Sequence, residues 1–131
     1  MSFFEYKGRD RLLTQLKGRA KKQDLEFNLE IDDLIFPKVC PVFGTEFSRG
    51  FIGSRSEYEP SVDKIAPMKG YVKGNIQMIS KKANIMKHKA TQDELFLFAF
   101  WVFETYLPEY LDENAEWLDV KKDMMCEEVD L

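Results

Sequence analysis

From Asp63 to Lys89 the chain carries seven lysines, at 64, 69, 73, 81, 82, 87 and 89, and a single acid, Asp63 itself. Cations at that density suit a phosphate backbone, because each phosphate neutralised releases condensed counterions. Lys69, Lys73, Lys81, Lys82, Lys87 and Lys89 are therefore expected nucleic-acid contacts, and Tyr71 among them fits either a sugar or base contact or the core. The one histidine, His88, follows Asn84 by four residues. On a helix that spacing projects both side chains from one face; the plainer alternative is an ordinary surface histidine. Phosphodiester hydrolysis needs a nucleophilic water and a stabilised leaving oxygen, and a hard divalent ion held by oxygen ligands and histidine supplies the second.

Positioning such groups takes a defined frame. Ser61 to Ile65 alternates as a strand, with Val62 and Ile65 as core contacts, and Pro67 and Gly70 end it. Gly74-Asn75 precedes a second alternating run, Ile76 to Ser80, in which Ile76 and Met78 share a face. Ser80 reads as the N-cap of a short helix, Lys81 to Lys89. The order is strand, long loop, strand, helix.

At Ser61-Val-Asp-Lys-Ile65, Lys69-Gly-Tyr-Val-Lys-Gly-Asn-Ile76 and Ala83-Asn-Ile-Met-Lys-His88 the chain resembles the HNH (ββα-metal, or His-Me finger) endonucleases, in particular small phage and bacterial members. The Cys40-Pro-Val-Phe-Gly44 segment matches more loosely. Three ordered segments at these separations are more specific than a lone Gly-Asn. The resemblance implies a divalent ion, Mg²⁺ or else Mn²⁺, held by Asp63 and Asn84 with His88 as a candidate third ligand. It also implies that Asn75 pins the loop between the strands by hydrogen bonds to backbone groups, a role compatible with a plain turn residue. Lys64 stands where the family has its general-base histidine. An ordinary lysine, with a pKa of about 10.4, is charged at neutral pH and cannot accept a proton, so a phosphate contact is its expected role. Three alternatives follow: another group or the metal activates water, His88 is the base and not a ligand, or catalysis is lost and binding kept.

Around this unit, Leu12, Leu13, Leu16 and Ala20 mark an amphipathic basic helix over Tyr6 to Asp24. Phe27, Leu29 and Ile31 alternate as a short strand or extended segment, and Asp32 or Asp33 is placed to cap a helical turn before Pro37. Arg49 to Glu59 is polar enough for a loop. Thr91 with Glu94 is a capping box opening an apolar helix, Leu95 to Leu107, expected to end at Pro108 and to be core. A last helix is expected over Glu113 to Cys126.

A chain of 131 residues with 44% hydrophobic and 14% aromatic residues can bury one core. The expectation is an α+β single domain over 1–131, with the ββα unit at about 61–91 between an N-terminal basic helix and an acidic helical segment, 92–131. The net charge of −4 conceals an asymmetry. Up to Thr91 there are 17 Lys/Arg against 11 Asp/Glu; from Gln92 onward, 2 against 12. The acidic part reads as a solvated surface or, alternatively, as a site for a protein partner. The longest apolar run falls well short of the roughly 20 residues that span a bilayer, and no secretion signal is found. Cys40 and Cys126 have no near neighbour cysteine, which predicts neither structural zinc nor a disulfide framework. A cytoplasmic DNA endonuclease of a bacterium or phage-infected cell is the functional expectation. The alternative is an inactive HNH-like scaffold that binds nucleic acid, or that inhibits or assists another protein through its acidic segment.

Overall fold

In the computed structural model, which describes residues 8–48 and 56–113, Leu12, Leu16 and Ala20 are buried and Arg9–Gln23 forms the first helix, α1. Asp24 ends it in the left-handed conformation, φ 55°, with its N–H turned back to the carbonyls of Ala20 and Lys21. Asp is among the few non-glycine residues that visit this region readily. Lys21 and Lys22 lie in the last turn, where the helix dipole favours cations.

The expected strand at Phe27 is reduced to a single parallel bridge with Tyr71. Beyond it, Ile31–Asp33 is a 3-10 turn whose cap is Glu30, not Asp32 or Asp33. The Glu30 N–H donates to Asp33 Oδ2 at 2.7 Å, completing a reciprocal capping box. Leu34, Phe36 and Cys40 follow as fully buried residues. Together with Leu16 and Ile79 they form the centre of the core, and each large aliphatic or aromatic side chain among them contributes roughly 1.5–3 kcal/mol by burial.

Pro60–Lys64 (β1) and Ile76–Ser80 (β2) pair antiparallel, with Val62 opposite Met78 and Asp63 opposite Gln77. Val62 and Met78 are buried as expected, but Ile65 is exposed. β1 stops at Lys64, and the Ile65 N–H closes the mouth of the loop on the Asn75 carbonyl at 2.9 Å. Within the loop, Gly70 has φ 83°, and a Cβ there would lie 2.5 Å from the Glu26 carbonyl oxygen. Only glycine satisfies both conditions. That closeness lets the Tyr71 N–H donate to Glu26 O at 3.0 Å and the Asn28 N–H to Tyr71 O at 3.2 Å.

Lys81–Lys87 (α2) follows β2 without a linker. Ser80 is its N-cap: Oγ accepts the Ala83 N–H at 3.1 Å, and the Ser80 N–H itself donates to Cys40 Sγ at 3.2 Å. The fold is thus α+β, with one two-stranded antiparallel hairpin and three α-helices among the described residues.

The chain divides into two compact units, Met1–His88 and Lys89–Leu131, where length alone suggests one core. The second contains Gln92–Glu113 (α3), opened by the Thr91–Glu94 capping box, with Glu94 N–H on Thr91 Oγ1 at 3.2 Å and Thr91 N–H on Glu94 Oε1 at 2.9 Å. Two expectations for this helix are overturned. It runs through Pro108, whose missing N–H removes one ladder bond without ending the helix. Its apolar side chains, including Phe96, Phe98, Phe100 and Trp101, are exposed rather than core. No helix among the described residues is long and apolar enough to cross a membrane. The last expected helix lies outside the described residues, apart from its first position, which α3 contains.

Candidate functional site

Alternation along β1 puts Ser61 and Asp63 on one face and Val62 on the other. Val62 packs into the core, and the other face receives α2. Asn84 and Lys87, one turn apart on α2, both reach back to this face. Asn84 Nδ2 donates to Ser61 Oγ at 2.7 Å and to the Val62 carbonyl at 3.3 Å. Lys87 Nζ donates to both carboxylate oxygens of Asp63, at 2.9 and 2.7 Å, and to the Lys64 carbonyl at 2.9 Å. Gln77, opposite Asp63 in the hairpin, adds a bond from Nε2 to Asp63 Oδ2 at 2.9 Å. The ion pair is secluded, the side chains of Asp63 and Lys87 being 5% and 13% exposed.

Asn75 ties the loop into a closed ring. Its Oδ1 accepts the Ala66 N–H at 2.9 Å, and its Nδ2 donates to the carbonyls of Ala66 at 3.0 Å and Gly70 at 2.8 Å. Three bonds from one buried side chain fix the loop that begins directly after Lys64.

Lys64 leans the other way, toward α1. Its Nζ donates to Gln23 Oε1 at 3.0 Å and lies 4.9 Å from the centre of the Tyr71 ring. Burial pushes its pKa below the ordinary lysine value; Asp63 opposes the shift and Lys87 adds to it.

The expected site residues thus separate. Asp63 and Asn84 lie on one face of the hairpin, and Asn75 makes hydrogen bonds to backbone groups of the loop. His88 departs. The helix ends at Lys87, and His88 is its exposed C-cap with φ 48°, so the helical spacing that aligned it with Asn84 does not hold. Tyr71 is core, not a nucleic-acid contact: its backbone is stitched to residues 26–28 and its ring is buried. Four of the expected phosphate contacts are internally paired. Lys73 bonds Asp33 at 2.7 Å with Glu30 at 3.6 Å, Lys81 pairs with Glu59 at 3.7 Å, Lys82 with Glu57 at 3.8 Å, and Lys87 with Asp63. Lys69 and Lys89 are exposed. Sequence reasoning missed Gln77 as a partner of Asp63. The signal was available, since pairing Val62 with Met78 puts Asp63 opposite Gln77.

Among the described residues no three His, Cys, Asp or Glu side chains cluster to hold a metal. Yet three oxygens, Oδ1 and Oδ2 of Asp63 and O of Lys64, already surround one positive charge, the Lys87 ammonium. That ammonium stands in for a cation in an oxygen-lined position. A Mg²⁺-class ion asks little more of a protein than one or two carboxylates, with waters and substrate phosphates completing the shell. Asp63 is the side chain that would hold it, and Asn84, whose Nδ2 is engaged by Ser61 Oγ and the Val62 carbonyl, has its amide oxygen left to offer.

No protein-family model matches the chain, and no solved structure does. A curated protein is similar: an "Uncharacterized 29.0 kDa protein in dda-modA intergenic region" of Enterobacteria phage T4, 28% identical over 123 residues. The match covers 86% of this chain and 48% of the phage protein, so the chain spans about half the length of the relative it matches.

Proposed function

We propose that the chain is a metal-dependent DNA endonuclease of HNH type, acting in a bacterial or phage-infected cell. The observation that carries the reading is the Asn75 ring, which fixes the loop after β1 while α2 holds Asn84 against the same strand that carries Asp63. When bound, a divalent ion supplies Lewis-acid stabilisation of the charge that develops on a phosphodiester. Asp63 would provide the anionic ligand and Asn84 the neutral one. Asn75 aims the strand without touching substrate. Lys64, in the position of the family's base, directs its ammonium to Gln23 and Tyr71 on the α1 side of the strand, where it is suited to a non-bridging phosphate oxygen. A divalent ion would compete with the Lys87 ammonium for the Asp63 carboxylate.

A specific observation favours a second reading, a nucleic-acid-binding scaffold without catalysis. Lys87 already neutralises Asp63, and Lys64 replaces the histidine. Incubation with supercoiled plasmid and Mg²⁺ or Mn²⁺, with and without chelator, separates the two. The first reading expects chelator-sensitive nicking or linearisation that Asp63→Ala abolishes. Retarded but uncut plasmid under every condition overturns it in favour of the second.

A further inference from the structure

The internal pairing of Lys73, Lys81, Lys82 and Lys87 raises the question of which other cations are free for a phosphate backbone. α1 answers it. Its 15 residues contain six, Arg9, Arg11, Lys17, Arg19, Lys21 and Lys22, against one acid, Asp10. Among the described residues none of the six enters a salt bridge, and Arg11, Lys17, Arg19, Lys21 and Lys22 are exposed.

Gly18 lies in the middle of this helix. It is two residues from Leu16 and from Ala20, so at about 100° per residue it falls on the side opposite the buried stripe. A Cβ there would meet nothing within 4 Å, and Gly18 is not among the residues with positive φ. Nothing in the fold requires glycine at Gly18, and glycine weakens a helix interior. What an exposed helical glycine provides is close approach of a ligand to the backbone. Lys17 adjoins this gap, and Lys21 and Lys22 flank it one turn on. The far end of α1 leads to the candidate site, because Gln23 accepts the Lys64 hydrogen bond.

We propose that the outer face of α1, notched at Gly18 and flanked by Lys17, Lys21 and Lys22, is the surface that seats the DNA backbone. The inference rests on the nucleic-acid reading above and deepens it: a phosphodiester strand lies in the notch, and Lys73, Lys81, Lys82 and Lys87 are engaged in ion pairs within the fold.

The test is binding of a 20–30-bp duplex to the full chain across a salt series. One phosphate contact changes the slope of log K against log salt by about 0.9, which is about eightfold between 1 M and 0.1 M salt. Lys21→Ala/Lys22→Ala should therefore lower the slope by about 1.8 and weaken binding at 0.1 M salt roughly sixtyfold. Gly18→Gln fills the notch with a better helix former, and should raise the melting temperature while weakening duplex binding. A rise in both stability and affinity overturns the notch. Wild-type slope and affinity in Lys21→Ala/Lys22→Ala, or a larger loss from Lys81→Ala/Lys82→Ala, overturns the α1 surface while leaving DNA binding intact. Wild-type protein that binds no duplex at low salt overturns the inference together with the function on which it rests.

Discussion

Replacing Lys87 by methionine keeps the stem and deletes the ammonium, which isolates what that charge does. Three oxygens lose a donor: both carboxylate oxygens of Asp63 and the Lys64 carbonyl. Asp63 keeps one bond, from Gln77. With its side chain only 5% exposed, the carboxylate is left charged and poorly solvated, a situation that costs about 3–5 kcal/mol when one partner of a buried pair is removed. The Gln77 bond and water reaching the Lys64 carbonyl offset part of this, so a loss of about 3 kcal/mol is expected. For a unit of this size each kcal/mol moves the melting temperature by about 4–8 °C, giving a fall of roughly 12–24 °C by circular dichroism at pH 7. Asp63→Asn/Lys87→Met should recover most of it, because no charge is then stranded. Mn²⁺ at a hundred times its dissociation constant should restore about 2.7 kcal/mol to Lys87→Met. A Lys87→Met protein within about 1 kcal/mol of wild type, or a double variant no more stable than the single one, would refute a secluded, mutually dependent pair.

Asn75→Ala removes three hydrogen bonds of about 1 kcal/mol each, so a loss near 3 kcal/mol in denaturant unfolding is expected, together with loss of any cleavage; a variant that cuts at the wild-type rate would mean the loop need not be pinned. Asp33 is held below the usual carboxylate range, first by the Lys73 hydrogen bond and then by the Glu30 N–H. Its contribution is therefore present above the ordinary value of 3.8 and lost as pH falls below it through the folded pKa. Melting curves from pH 5 to pH 2 should show a shallower acid limb for Asp33→Asn than for wild type, and parallel limbs would remove Asp33 from the linkage. Lys64→His introduces the histidine that HNH endonucleases carry at the matching position and, on the proposed reading, should raise plasmid cleavage; a folded, DNA-binding Lys64→His protein that takes up no metal and cuts nothing favours the scaffold reading.

What the sequence disclosed was local. β2 occupies the residues its alternation marks, Ser80 and Thr91 cap as their positions predict, and Leu12, Leu16 and Ala20 form the buried stripe of α1. Periods of two and 3.6 and caps three residues long are set by neighbours in the chain, so they can be read from it. The misread features depend on distant partners. Tyr71 is core because residues 26–28 lie against it, and Lys87 is an internal counter-ion because the end of α2 reaches the middle of β1. Ile65 alternates like a strand residue, but the ladder stops one position earlier, where the loop mouth takes its N–H. His88 failed by a single residue of helix length, a margin that capping patterns do not resolve.

The stitching of Gly70 and Tyr71 to residues 26–28 bears on modularity. Strand, loop, strand and helix occupy fewer than thirty consecutive residues, from Pro60 to Lys87, which invites their transplantation as a minimal cassette. The loop, however, is braced from two directions, by Asn75 from within and by the Glu26 to Asn28 segment from more than forty residues upstream. An excised cassette would keep the inner brace and lose the outer one. It would expose Tyr71 and leave the Tyr71 N–H, which donates to Glu26, without its partner. A transplant that preserves the candidate site therefore has to carry the chain from residue 26 onward.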